Sequence, residues 1–172
     1  MSAITFDTTI VEAMFDDAIE SCAKKMGFNG RTQVLERMRC GDCSVCGYLR
    51  YGLAKGVAEY LGSVDDTARA IYMYEPEQAT SLDGPLPGRP GLSPGISLVA
   101  WVSRKSAAMS SVVASVSSAL GEEYRKLVCP KANASCYQLD VQLTDDDEVQ
   151  KRVGYGALVH SLYVRPTQIW SR

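Results

Sequence analysis

The stretch that decides the fold is ISLVAWVS, residues 96–103, which is apolar on both faces of an extended chain. Such a segment is typical of a strand that is buried on both sides at the centre of a sheet. Residues 109–127 then show the apolar spacing of an amphipathic helix, and residues 137–143 alternate apolar with polar side chains. This order predicts a βαβ-like unit, which would be right-handed if its two strands are parallel.

The sequence before residue 63 has a helical period instead. Residues 10–26 place apolar side chains on one face, and residues 32–39 and 47–61 predict a short second helix and a longer third helix. Gly52 and Gly56 each weaken that third helix by about 1 kcal/mol relative to alanine. We interpret their four-residue spacing as a place where another backbone packs closely.

Three further segments extend the pattern toward the C-terminus. Residues 68–75 predict a strand. Residues 145–148 place carboxylates at the positive end of a short helix. Residues 156–164 are interpreted as a fourth strand in preference to a helix.

Together these elements predict an α+β or α/β fold. A helical N-terminal part, residues 1–62, packs on a small mixed sheet of three to four strands within residues 63–172, and the two parts form one compact domain. Residues 76–95 are rich in proline and glycine, which interrupt regular structure. We interpret them as a mobile connector in preference to a functional loop.

Composition limits the class of protein. The chain has 172 residues, 46% of them hydrophobic, and a formal net charge of -2, which argues against a protein that coats nucleic acid. The sequence has no apolar run long enough to span a membrane, and its first residues do not show a basic region followed by an apolar one, as a signal peptide would. We therefore expect a cytoplasmic protein without a membrane span. In a reducing compartment its six cysteines are expected to be ligands, core residues or redox-active thiols.

Three cysteines stand at three-residue intervals in the stretch RCGDCSVCG, residues 39–47. Cys40, Cys43 and Cys46 can therefore direct their sulfurs toward one centre, as the corners of a cuboidal iron–sulfur cluster require. Cys129 follows the long predicted helix and is the expected fourth ligand. Cys46 is also expected near the start of the third helix, where free backbone N–H groups favour a thiolate.

The same four cysteines, the last followed by Pro130, resemble the ligand pattern of bacterial-type ferredoxins. The resemblance is limited to the ligands, because more than eighty residues separate Cys46 from Cys129 and no second cluster motif is present. It implies a 4Fe–4S cluster and, with it, a small redox, sensing or accessory protein.

Two other kinds of site remain open. Zinc could be bound by Cys40 and Cys43 with Cys129 and Cys136, or by three of these cysteines with His160. Such a zinc ion would stabilise a module that binds a protein or a nucleic acid. Alternatively, Cys129 and Cys136 oxidise reversibly to a disulfide and the protein binds no metal.

Cys22 and His160 have simpler interpretations. Cys22 lies on the apolar face of the first predicted helix, so we expect a buried structural thiol. His160 is the single histidine of the chain and falls within an apolar run, which favours a core histidine with a satisfied hydrogen bond over a ligand or a base.

Basic residues outnumber acidic ones around the cysteines. Between residues 24 and 55 the acidic residues are Glu36 and Asp42, and the basic residues are Lys24, Lys25, Arg31, Arg37, Arg39, Arg50 and Lys55. With Tyr48 and Tyr51 as stacking faces, this surface could bind an acidic protein, a nucleic acid such as an RNA segment, or an anionic ligand, but a surface that meets solvent alone is the default interpretation.

Catalytic signals are weak. No nucleophile-elbow motif and no phosphate-binding glycine motif occurs, and one histidine cannot support several metal-hydrolase schemes. Asp140 is the one carboxylate on a strand that would suit catalysis, and alone it is no evidence of catalysis. We therefore lean to a protein that is not an enzyme.

Overall fold

The computed structural model describes residues 6–75, 95–131 and 137–172. Its helices and strands, in chain order, are α1 (Thr9–Met26), α2 (Arg31–Arg39), α3 (Cys43–Val64), β1 (Ala68–Met73), β2 (Gly95–Val102), α4 (Ala107–Val128), β3 (Gln138–Asp145), α5 (Asp146–Lys151), α6 (Gly156–Val159) and β4 (Thr167–Ser171). None of these helices is both long and apolar enough to cross a membrane. The predicted connector, residues 76–95, lies outside the described residues except for Gly95, which begins β2.

The strands of the described residues form one mixed sheet with the order β3-β2-β1-β4. β2 and β3 are parallel, with Leu98 opposite Val141, whereas β1 is antiparallel to both β2 and β4. Because α4 connects the two parallel strands, the predicted βαβ unit is present. Helices packed on a small mixed sheet confirm the α+β fold class.

One face of the sheet carries the main core. Ile71 of β1, Leu98 of β2 and Leu53 of α3 are completely buried and belong to one apolar cluster, to which α1 and α4 also contribute. The helices before residue 63 and the strands after it therefore share apolar contacts across the boundary that the sequence indicates.

The opposite face is covered by α5, α6 and the chain that precedes β4. Here Val99 of β2 packs in a second apolar cluster with Tyr74, Val149, Val159 and Val164. β2 thus has apolar neighbours on both faces, which is why its sequence lacks the alternation of a half-buried strand.

α1 and α3 pack against each other at two glycines. A Cβ atom on Gly52 would lie 3.0 Å from the Cβ of Ala18, and one on Gly56 would lie 3.1 Å from the Cγ of Met14. These distances confirm that the two glycines allow another helix to approach closely, and the packing offsets their low helix propensity.

The predicted strand at residues 156–164 is wrong. Gly156–Val159 forms the short helix α6, turns follow, and the last strand is Thr167–Ser171. Gly156 lies against α5, since a Cβ atom there would lie 2.4 Å from the backbone carbonyl of Glu148. The chain crosses closely over α5 at this point, and its inward-facing valines come from a helix and a turn.

Candidate metal centre

The three cysteines of the stretch lie at the junction of α2 and α3. Cys40 caps the C-terminus of α2, and Gly41 follows in the left-handed region with φ of 75°. The carboxylate of Asp42 then accepts hydrogen bonds from the backbone N–H groups of Ser44 and Val45, at 3.1 and 3.3 Å. This cap starts α3 at residue 43, four residues earlier than the periodicity predicts.

The cysteines of the junction differ in exposure. Cys40 and Cys43 are exposed, whereas Cys46, one helical turn after Cys43, is half-buried. Burial raises the pKa of the Cys46 thiol above its ordinary value, and the charges of Cys43 and Asp42 raise it further. The expectation that the helix start favours a Cys46 thiolate is therefore wrong: burial and neighbouring negative charge outweigh the backbone N–H groups.

The junction lies against the C-terminal end of α4. The Nη2 atom of Arg39 donates a hydrogen bond to the carbonyl oxygen of Leu127 at 2.7 Å. Cys129 caps α4 two residues later, where its backbone N–H donates to the carbonyl of Arg125, and its side chain is half-buried. Residues separated by more than eighty positions in sequence are thus neighbours at this junction.

Tyr137 brings the start of β3 to the same place. Its ring stacks on that of Tyr124 with centroids 4.2 Å apart, and it is 7% exposed. Burial raises the pKa of Tyr137 most, Tyr124 and Cys46 raise it further, and the Arg50 guanidinium opposes them. The side chains of Cys46, Arg50 and Tyr137 are therefore electrostatic neighbours. Cys136 itself lies outside the described residues, and so does its suggested pairing with Cys129.

Over residues 6–75, 95–131 and 137–172 no group of three or more His, Cys, Asp or Glu side chains is placed to hold a metal ion. Cys22, Cys40, Cys43 and Cys46 are free thiols. The structure thus brings the two cysteine-bearing segments near each other, and the convergence of their sulfurs on one centre stays a prediction.

The structure confirms the interpretation of Cys22 and contradicts that of His160. Cys22 is 2% exposed, which confirms a buried thiol, and burial raises its pKa. His160 is exposed, so its interpretation as a core histidine is wrong. It lies in a depression with Arg69 at the start of β1, whereas the cysteine junction lies toward Glu75 beyond the end of that strand. This separation favours a cysteine over His160 as fourth ligand.

Most of the basic residues around the junction have acidic partners. The ion pairs are Lys24 with Glu20, Arg31 with Asp16, Arg37 with Asp42, Arg50 with Glu75, and Lys55 with Glu59. Arg39 is hydrogen-bonded to a backbone carbonyl. Four of these five carboxylates lie outside residues 24–55. A count of the charges within that range therefore overestimates the positive charge of the surface.

A cleft that sequence reasoning missed lies beside the junction. It has a volume of about 740 Å³ and lies between the start of α3, the end of β1 and residues 162–167. We call it the tyrosine cleft, after Tyr51, Tyr74 and Tyr163 in its lining. Tyr51 was a signal for it, but the third wall comes from a turn that the sequence predicts as a strand.

Comparison with known proteins finds no matching family model, no similar curated protein and no similar solved structure. The chemistry of the site must therefore be argued from the chain itself.

Proposed function

We propose that four thiolates of this protein bind one metal centre: those of Cys40, Cys43, Cys46 and Cys129. The observation that carries the proposal is the hydrogen bond from Arg39 to the carbonyl of Leu127. It ties the residue before Cys40 to a position two residues before Cys129. The two cysteine-bearing segments are thus joined directly, and metal binding would require their side chains to turn toward one centre.

The favoured metal is an iron–sulfur cluster of the 4Fe–4S type, because three of the ligands come from one short stretch with three-residue spacing. Cys43 and Cys46 lie on one face of α3, one turn apart, and Gly41 gives the backbone at Cys40 a sharp turn toward them. Such a cluster would serve a redox, sensing or accessory role in the cytoplasm, where these thiols stay reduced.

Zinc is the second candidate, and one observation favours it. Cys46 and Cys129 both pack against the main apolar cluster. A zinc ion between them would cross-link α3 to the end of α4, and its binding energy would also be folding energy. The protein would then be a stabilised module for a protein or nucleic-acid partner.

Metal analysis after anaerobic purification tests the proposal. We expect either about four iron and four sulfide per chain with broad visible absorption, or about one zinc per chain without colour. The Cys43→Ser variant should lose the metal, and so should Cys129→Ser. Cys22→Ala is the matched control, because it removes a thiol of the core and should keep the metal content of the wild type.

Stability distinguishes a structural metal from one that is dispensable for folding. If the metal joins the junction to α4, Cys43→Ser should lower the melting temperature of the whole domain. Loss of metal with an unchanged melting temperature would show that the site is not structural. If neither iron nor zinc binds stoichiometrically, even after anaerobic reconstitution, the proposal is wrong.

A further inference from the structure

The tyrosine cleft has the size of a ligand site. Its volume of about 740 Å³ falls within the range of about 300–1,000 Å³ that is usual for small-molecule sites. Tyr51 of α3 forms one side, Tyr74 and Glu75 form the side at the end of β1, and Tyr163 and Arg165 form the third.

The cleft displays apolar side chains to solvent. Tyr51 is 48% exposed, Tyr163 is 94% exposed, and Leu162 beside it is 82% exposed. Three of the seven large hydrophobic residues that are exposed in the described ranges therefore line this one cleft. Such clustering of exposed rings is typical of an interaction site, whereas single exposed residues need no explanation.

The turn that carries Tyr163 is anchored. Val164 is 7% exposed and packs in the second apolar cluster. Its backbone N–H donates to Oγ of Ser161 at 3.1 Å, and the N–H of Arg165 donates to the carbonyl of Ser161 at 3.2 Å. The backbone is thus held while the ring of Tyr163 projects outward, so a ligand that stacks on the ring orders the side chain without also having to order the backbone.

The charges of the cleft favour an anion. Both terminal nitrogens of Arg50 donate to the carboxylate of Glu75, at 3.2 and 2.5 Å, so these two charges are paired. Arg165 donates from Nε to the carbonyl of Leu162 at 3.1 Å. In the described part of the chain its terminal nitrogens meet no acceptor, which leaves one guanidinium able to bind a phosphate with both of them.

We propose that the tyrosine cleft binds a nucleotide, with the base stacked on Tyr51 or Tyr163 and the phosphate on Arg165. A planar ring next to an anionic group is the chemistry that exposed tyrosines and a free guanidinium recognise together. A free mononucleotide and a nucleotide within single-stranded RNA share that chemistry. The site uses no cysteine and does not depend on the proposed metal.

Titration of the full-length protein tests the proposal. The probes are AMP and UMP for the free nucleotide, and fluorescently labelled A8 and U8 single-stranded RNA for the polymer. We expect Tyr51→Ala and Arg165→Gln each to weaken binding about tenfold, the usual effect of losing one stacking or phosphate contact. Tighter binding of the oligonucleotides than of the mononucleotides assigns the site to RNA, and equal affinity assigns it to the free nucleotide.

The chain offers two matched controls. Tyr48 is 45% exposed on the same helix as Tyr51 but does not line the cleft. Arg152, like Arg165, has a positive φ and lies elsewhere on the surface. Tyr48→Ala and Arg152→Gln should change the affinity less than twofold. The proposal is overturned if no probe binds at millimolar concentration, if an acidic peptide binds and nucleotides do not, or if the controls weaken binding as much as the cleft variants.

Discussion

Replacing Gly62 with alanine would place a methyl group inside the indole ring of Trp170. A Cβ atom on Gly62 would lie 2.2 Å from Cζ2 and 2.3 Å from Cε2 of that ring. Gly62 lies near the end of α3, and Trp170 lies in β4, so this contact seats the last strand against the third helix. Arg172 strengthens the same contact, because its Nη2 donates to the carbonyl of Gly62 at 3.2 Å.

The expected loss of stability follows from three terms. Ordinary contact between carbons needs about 3.5–4.0 Å, so the ring must move by more than about 1 Å. Overpacking of this kind costs up to about 3 kcal/mol, and complete expulsion of the indole costs up to about 5 kcal/mol. Alanine regains about 1 kcal/mol of helix propensity over glycine. The net loss should therefore lie between about 2 and 4 kcal/mol.

Urea unfolding of the metal-free protein, followed by tryptophan fluorescence, measures this loss. Gly47→Ala is the matched control, since Gly47 lies in the same helix and a Cβ atom there would meet nothing within 4 Å. That variant should gain up to about 1 kcal/mol from propensity alone. A Gly62→Ala protein as stable as the wild type, with unchanged emission, would refute the described packing of Trp170 on α3.

Three more outcomes are expected. In the metal-free protein a maleimide should modify the exposed Cys43 quickly and the buried Cys22 only on unfolding, and bound metal should protect Cys43. Mass spectrometry of the labelled peptides would measure both rates. Burial raises the thiol pKa of Cys22 and Cys46, so the folded protein holds these protons more tightly than the unfolded chain does. The free energy of unfolding should therefore fall as the pH rises above about 9, and urea titrations of Cys22→Ala should show a smaller fall. The hydrogen bond from Arg69 lowers the pKa of Asp146, so its contribution is present above about pH 4 and is lost as the pH falls further, and Asp146→Asn should show a weaker acid dependence of the melting temperature.

The elements that the sequence predicts best are those whose burial is one-sided or complete along their whole length. α4 has one apolar stripe over its 22 residues, and β2 is buried on both faces, so each has a period that a reader of the sequence can count. The parallel pairing of β2 with β3 then follows from the helix between them.

The C-terminal segment could not be predicted in this way. α6 has four residues, which is one turn and too short for a helical period to appear. Val159 and Val164 both face the second apolar cluster, yet they reach it from a helix and from a turn. The spacing of these two valines matches neither a helical nor a strand period. It therefore gave no sign that His160, at the end of α6, is exposed.

The charge around the cysteines shows a second limit of sequence reasoning. Lys24 with Glu20 and Lys55 with Glu59 are pairs four residues apart on one helix, whereas the packing of different elements brings Asp16 to Arg31 and Glu75 to Arg50. Arg50 shows this most clearly, because its two hydrogen bonds to Glu75 span 25 residues of sequence. A window of sequence counts charges but does not reveal pairs between distant segments.

The junction of α2 and α3 also changes the meaning of the cysteine spacing. The sequence suggests three thiols in one open loop, whereas the cap by Asp42 puts Cys43 and Cys46 on the first turn of a helix. The helix then fixes the Cβ atoms of these two cysteines relative to each other, whereas Cys40 lies on the other side of the turn at Gly41. Because metal ligation requires thiolates, binding releases the protons of the ligating thiols, so the affinity for metal should rise with pH. The spacing of Cys43 and Cys46 in the proposed site is therefore that of one helical turn, and Cys40 must reach them across the turn at Gly41.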